Sequence, residues 1–270
     1  MAIAAVNGVR LFYTEEGEGG TPLLLCHGWG CESNDWIWQL EALSTEHRVI
    51  VPDLRGHGGS DGGPVSPFAH AEDMAALLEH LDSGPVVAFG HSLGGLVTMA
   101  LAVQRPDLVR ALVQVDAAYG VQAETIGLVE EMRELLKGPE PLAVIASIWA
   151  TIEGPNPDPA LSAWHRRRLL AQSPENVVGN FVAQFFDADQ FALRPATDEY
   201  LVRCTRPILG FHVEPPKEAC EAESFQHRRS RTVLWDDVGH WLHQERPEDF
   251  NSLALEWIAE VAAANEAVDA

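Results

Sequence analysis

Short apolar runs and longer stretches with helical spacing alternate along most of the chain. "VNGVRLFYTEEGEG" alternates apolar and polar positions around Asn7-Gly8 and reads as a hairpin. "PLLLCHG" and "HRVIVPDLRGHGGS" are short, wholly apolar runs ending in glycine-rich loops, the pattern of strands buried on both faces. "GPVVAFGHS", "VRALVQVDAAYG", "TRPILGFHV" and "SRTVLWDDVGH" read as four further strands. Between them, "WIWQLEALS" and "LGGLVTMALAVQRP" have helical spacing, and "EDFNSLALEWIAEVAA" is an amphipathic terminal helix. "FAHAEDMAALLEHLD" places Phe68, Met74, Leu77, Leu78 and Leu81 on one helical face. This rhythm predicts an α/β fold with a mostly parallel sheet covered on both faces and right-handed crossovers.

The rhythm breaks between about residues 121 and 199. Prolines fall at 139, 141, 155, 157, 159 and 174, and the aromatics Trp149, Trp164, Phe181, Phe185, Phe186 and Phe191 gather there. The expected division is a core of residues 1–120 and 200–270 with a helical cap or lid insertion at 121–199. Open α/β sheets bind ligands beyond the carboxyl ends of their strands, so an insertion at that edge covers a site. Trp149 and Trp164 are the candidate pocket residues, although each could equally be the insertion's own core.

The chain of 270 residues carries 40 acidic against 18 basic side chains, a formal net charge of −22. Such a surface repels nucleic acid and anionic membranes. Arg166-Arg167-Arg168 and the arginines at 228, 229 and 231 are short clusters that read as solvated or ion-paired surface. Four cysteines at 26, 31, 204 and 220 form no metal-ligand spacing. The opening segment lacks a basic n-region and the apolar runs fall short of a membrane span. A soluble cytoplasmic protein with reduced thiols, acting on a small molecule without metal or cofactor, is the expectation; oligomeric state is not legible.

Gly90-His91-Ser92-Leu93-Gly94 is a full G-x-S-x-G between an apolar strand and an apolar helix. There the chain reverses sharply, small neighbours allow close backbone approach, and the serine hydroxyl stands at a helix N-terminus, which favours developing negative charge. A capping serine would not need both glycines, so Ser92 is the candidate nucleophile. His240, after the last strand in "VGHWLHQERPEDF", is the candidate base; His243 should point elsewhere once a helix begins. Oxyanion donors would be the backbone N–H groups of Leu93 and of Trp29 in His27-Gly28-Trp29-Gly30.

"HGWG", "DLRGHGGSD", "GHSLGG" and "VGHWLHQERPEDF", in this order, resemble the landmarks of the α/β-hydrolase fold. The resemblance implies an eight-stranded, mostly parallel sheet, a variable cap and a Ser–acid–His triad in chain order. Most members carry the acid after the penultimate strand as Gly-x-x-Asp. Here that stretch reads "PILGFHVEPP", with Glu214 one residue too late. Asp116, at the end of "RALVQVD", matches the earlier position used by haloalkane dehalogenases, fungal zearalenone lactonases and cofactor-free quinaldine dioxygenases. Leaving a core strand, it buries more easily than Glu214, and is favoured. His212 is read as packing at a strand end. A serine at the elbow excludes the dehalogenase and epoxide hydrolase chemistries, which need aspartate there. The expected function is hydrolysis of a carboxylic ester or lactone, with an apolar or aromatic substrate such as a macrolactone. Alternatives are a cofactor-free dioxygenase-like enzyme, a carbon–carbon bond hydrolase, or a hydrolase-like receptor with slow turnover.

Overall fold

The computed structural model describes residues 1–63 and 65–266; the last four residues of the alanine-rich end lie outside it. Eight strands form one sheet: β1 (Ala2–Val6), β2 (Val9–Glu16), β3 (Leu23–Cys26), β4 (Val49–Pro52), β5 (Val86–His91), β6 (Val109–Val115), β7 (Ile208–His212) and β8 (Arg231–Leu234). Their order is β1-β2-β4-β3-β5-β6-β7-β8. β1 and β2 are antiparallel, as is the β2–β4 pair, and every other pair is parallel. The opening hairpin turns on Asn7 (φ 48°) and Gly8 (φ 76°), the left-handed pair that matches strand twist.

The core helices are α1 (Ile37–Leu43), α2 (Pro67–His80) and α3 (Leu93–Gln104). Between β6 and β7 the chain leaves the sheet for α4 (Ile126–Leu135), α5 (Pro141–Ile152), α6 (Pro159–Leu170), α7 (Pro174–Phe186) and α8 (Ala196–Leu201). Then follow α9 (Pro215–Ser224), α10 (Leu242–Glu245) and α11 (Pro247–Glu266). No described helix is long and apolar enough to cross a membrane.

Alternation along the buried strands divides the core. Leu24, Cys26, Ile50, Ala88 and Leu112 face α2 and α3, whereas Leu23, Leu25, Val49, Val51, Phe89 and Val113 face α1 and α11. Both faces are covered, so the central strands read as continuous apolar runs rather than alternating ones. On α2, Met74, Leu77 and Leu78 are buried, and Phe68 and Leu81 pack at the edge. The same helix also buries two polar residues, His70 and Asp73. Asp73 pairs with Arg55 at 2.6 Å, and His70 Nε2 meets Asn180 Oδ1 of α7 at 2.9 Å. Burial pushes His70 down to about 3, so this contact is made by a neutral ring.

A third apolar cluster lies outside the sheet, where Ile145, Trp149, Leu169, Val177 and Phe181 of the β6–β7 excursion meet Cys31 and Trp241 of the core. A polar contact across the same boundary corrects the surface reading of the 166–168 cluster. Arg166 and Arg167 are exposed, but Arg168 is buried and ion-paired with buried Asp35. Its guanidinium also lies 5.2 Å from the Trp149 ring and 6.0 Å from the Trp241 ring. His165, Arg168 and Leu169 form the inward stripe of α6, at the spacing of one helical face.

Removing one partner of a buried ion pair leaves an uncompensated charge. Arg168→Ala should therefore lower the unfolding free energy by about 3 kcal/mol, whereas the double apolar variant Asp35→Leu/Arg168→Met should recover most of it. Urea melts of both variants check this; equal losses in the two would contradict it.

Candidate active site

The site is built at the carboxyl ends of β5 and β6. Ser92 follows β5 with φ 52° and ψ −114°, and Asp116 follows β6 with φ 39°. A left-handed φ in a non-glycine residue costs on the order of 1–3 kcal/mol and persists only where surrounding contacts over-determine it. Here those contacts are backbone bonds. Ser92 N–H donates to Val115 O at 3.0 Å, Asp116 N–H to Phe211 O at 2.7 Å, and Ala118 N–H to Ser92 O at 3.0 Å. The two strand ends are thus stitched to one another and to β7.

The glycines of the elbow are required by close approach. A side chain at Gly90 would collide with Gly94 O and Thr98 Oγ1, and one at Gly94 with the carbonyls of Cys26 and His27. The second glycine of "LGG", Gly95, lies against Ala117 and Gln114. Leu93 opens α3, so its N–H is among the donors that a helix start leaves without an intrahelical partner. On the facing loop, His27 Nδ1 donates to Gly28 O at 2.8 Å while Nε2 accepts from Leu54 N–H at 2.9 Å. This neutral ring braces the Gly28–Trp29 turn from behind. Gly28 sits against Ser92 Cβ and His91.

His240 precedes α10. Its Nδ1–H donates to Asp116 Oδ2 at 2.5 Å. With Nδ1 so engaged, a neutral imidazole carries its lone pair on Nε2. Its backbone N–H is held by Ile152 O at the end of α5, 2.8 Å away. Burial opposes ionisation of Asp116, but the Lys217 ammonium and the His240 hydrogen bond outweigh it and hold the carboxyl well below the ordinary range. His91 Nε2–H donates to the His240 carbonyl at 3.1 Å. Burial, with His240 and His243 close by, drives His91 well below its usual range and keeps it neutral.

Ser92, His240, Trp29 and Trp149 line one cavity of about 190 Å³, with Trp241, Phe181, Met132 and Cys31 among its other walls. Asp116 stands behind His240 and lines a larger, open cavity of about 710 Å³ with Lys217, Gln122, Thr125 and Glu214. His240 and Phe185 belong to both. Glu214 is exposed at the start of α9, and His240 Nδ1 bonds to Asp116 instead. Trp164 is not on the inner cavity. It sits at the edge of the inward stripe of α6, with Nε1 3.5 Å from Asp35 Oδ1, and lines an outer groove with Ile37 and Trp38. His243 is buried against Trp36 and Phe250, away from the cavity. Lys217 and Trp241 were not singled out by sequence reasoning. Trp241 adjoins His240 and could have been suspected; Lys217 lies 101 residues from its partner Asp116 and carried no local signal. Among the described residues, no group of three or more His, Cys, Asp or Glu is arranged to hold a metal.

Residues 21–247 match the sequence profile of the alpha/beta hydrolase fold family. The chain belongs to the α/β hydrolase fold family. This α/β hydrolase superposes on a thermophilic esterase from Thermogutta terrifontis with a TM-score of 0.80 and 29% identity, over 96% of this chain and 97% of that one. It is 29% identical to the magnesium-chelatase 30 kDa subunit of Rhodobacter capsulatus over 88% of this chain and 87% of the relative. It is 42% identical to the dihydrolipoyllysine-residue acetyltransferase component of the acetoin cleaving system of Pseudomonas putida, over 40% of this chain. That match spans 30% of the relative's length.

The packing at the elbow makes a clear demand. Gly90→Ala should destabilise this α/β hydrolase by about 2 kcal/mol or more, because its neighbours are backbone and a buried threonine that cannot retreat. Chemical denaturation measures this; a loss under 0.5 kcal/mol would contradict the close approach.

Proposed function

We propose that the chain hydrolyses carboxylic esters or lactones through an acyl-enzyme on Ser92. The observation that carries this reading is the Asp116–His240 hydrogen bond, set beside a serine in a left-handed conformation at the start of a helix, with Ser92 and His240 on one cavity. His240 Nε2 takes the Ser92 proton as Oγ attacks the carbonyl carbon. The Leu93 and Trp29 N–H groups receive the developing oxyanion. His240 then protonates the leaving alkoxide, and water activated by the same nitrogen releases the acid. Asp116 orients the ring and stabilises the imidazolium formed in each step.

The α4–α7 helices act as the cap of this site, and the inner cavity takes the apolar side of the substrate. Trp29, Trp149, Phe181 and Trp241 offer aromatic walls. At about 190 Å³ the cavity admits a compact apolar or aromatic group. A ligand the size of a macrolactone must extend past His240 into the outer cavity of about 710 Å³. The 29%-identical thermophilic esterase supports ester chemistry for this chain. A short-chain aryl ester is therefore the first substrate to assay, and steady turnover after a burst separates an enzyme from a slow receptor.

On such an ester, Ser92→Ala should lower kcat by about 10⁴-fold or more with an unchanged melting temperature. Retained hydrolysis would remove the covalent mechanism. Asp116→Asn should lose about 10³- to 10⁴-fold, whereas Glu214→Gln should stay within about twofold of wild type. The reverse order would assign the acid to Glu214. Asp116, held below the ordinary carboxyl range, is already ionised under mildly acidic conditions. Activity should then rise with pH along a single-proton limb of kcat/KM, and a two-proton slope would contradict this assignment.

A further inference from the structure

The Asp116 carboxylate is shared. Oδ2 accepts from His240 Nδ1 at 2.5 Å, and Oδ1 accepts from Lys217 Nζ at 2.8 Å. The same ammonium reaches the Asp116 carbonyl at 3.5 Å. The lysine side chain is 15% exposed and the carboxylate 4%. A lysine so far removed from water needs the pairing, and the pairing fixes the carboxylate rotamer.

The helix that carries Lys217 is itself anchored. One turn on, Glu221 accepts from Tyr119 Oη and pairs with His212 Nε2 at 2.8 Å, with all three side chains buried. Glu218 accepts from Thr232 Oγ1 of β8 at 2.7 Å. Two successive turns of α9 therefore grip the ends of one short segment, Lys217 at Asp116 and Glu221 at Tyr119. Val213 stands three residues after Gly210, where the Gly-x-x-Asp pattern would place an acid. The segment after β7 thus brings a cation to the site in place of a carboxylate.

The other charged or titratable groups around the pair are differently engaged. His91 on β5 and His243 on α10 are buried and neutral. Arg168 on α6 lies beyond Trp241 and is paired with Asp35. Glu153, after α5, is turned to His165 and Ser162. Glu245 on α10 accepts from Gly239 N–H, and Glu214 is exposed. Among the described residues, Lys217 is the one basic side chain besides His240 in hydrogen-bonding contact with the Asp116 carboxylate.

Resting on the reading of Asp116 as the orienting acid, we propose that Lys217 is a positioning residue. It holds the carboxylate in the rotamer that serves His240 and offsets part of its negative charge, so that the resting imidazole is not over-stabilised in its protonated, inactive form. The sign follows directly. Removing the cation leaves a fuller negative charge beside His240, favours imidazolium, and moves the acid limb of activity to higher pH.

The test compares Lys217→Met, Lys217→Gln and Lys217→Arg in the full chain, each checked for folding by circular dichroism. It reads kcat/KM against pH on an aryl ester, and separately the NMR titration midpoint of the His240 ring. Met and Gln should lower kcat about tenfold with KM within about twofold. Both should move the acid limb and the NMR midpoint up by roughly half to one pH unit, and Arg should restore both. Unmoved midpoints in Met and Gln, or an equal displacement in Arg, would overturn the proposal. The NMR arm needs no turnover, so it still reads the coupling if Ser92→Ala retains hydrolysis and the acyl-enzyme reading fails.

Discussion

The hydrogen bond between His240 and Asp116 is the contact on which the site depends, and its geometry is fixed by backbone rather than by side chains. Asp116 reaches the imidazole from the left-handed end of β6, bonded to β7, and Ser92, at the left-handed end of β5, lines the same cavity as His240. Two strained residues at the ends of adjacent strands are costly. The surrounding parallel sheet, buried on both faces, is what keeps them from relaxing. His240 comes from a third direction, and its backbone is held by the end of α5. The site therefore joins sheet, terminal segment and the helices above the sheet in one network.

Those helices are joined to the core by contacts of different character. The Trp149–Trp241–Phe181 cluster supplies apolar area and also walls the inner cavity. The Asp35–Arg168 pair and the His70–Asn180 contact add buried polar links. Such links are weak arguments for stability in themselves, because desolvation offsets much of their attraction. They tie α6 to the segment before α1 and α7 to α2, beside a cavity whose walls come from both sides.

The parallel sheet was legible because strands buried on both faces leave continuous apolar runs, and "PLLLC" or "VVAF" admit few other readings. The sharp turn at Ser92 is legible because close backbone approach demands glycine at fixed offsets, which a local pattern records. Long-range polar pairing leaves no such record. Arg168 looks like surface in "HRRRLL" because nothing nearby in sequence announces Asp35, 133 residues away. His70, Asp73 and Lys217 escaped notice for the same reason. Composition alone puts Trp164 among the pocket candidates, whereas the pitch of α6 sets it at the edge of the inward face. In the order Ser92, Asp116, His240 the acid rests on which of two carboxylates, Asp116 or Glu214, can be buried. In the structure Asp116 is buried and Glu214 exposed.

A nucleophilic Ser92, activated by the Asp116–His240 pair, should react selectively with an electrophilic phosphorus centre. A fluorophosphonate ester phosphonylates such a serine with loss of fluoride, and not an ordinary hydroxyl, so intact-mass spectrometry with peptide mapping reads the reaction. One adduct per chain is expected, located on Ser92 and formed much more slowly in Asp116→Asn. A chain that stays unmodified, or an adduct on another residue with Ser92 free, would contradict it.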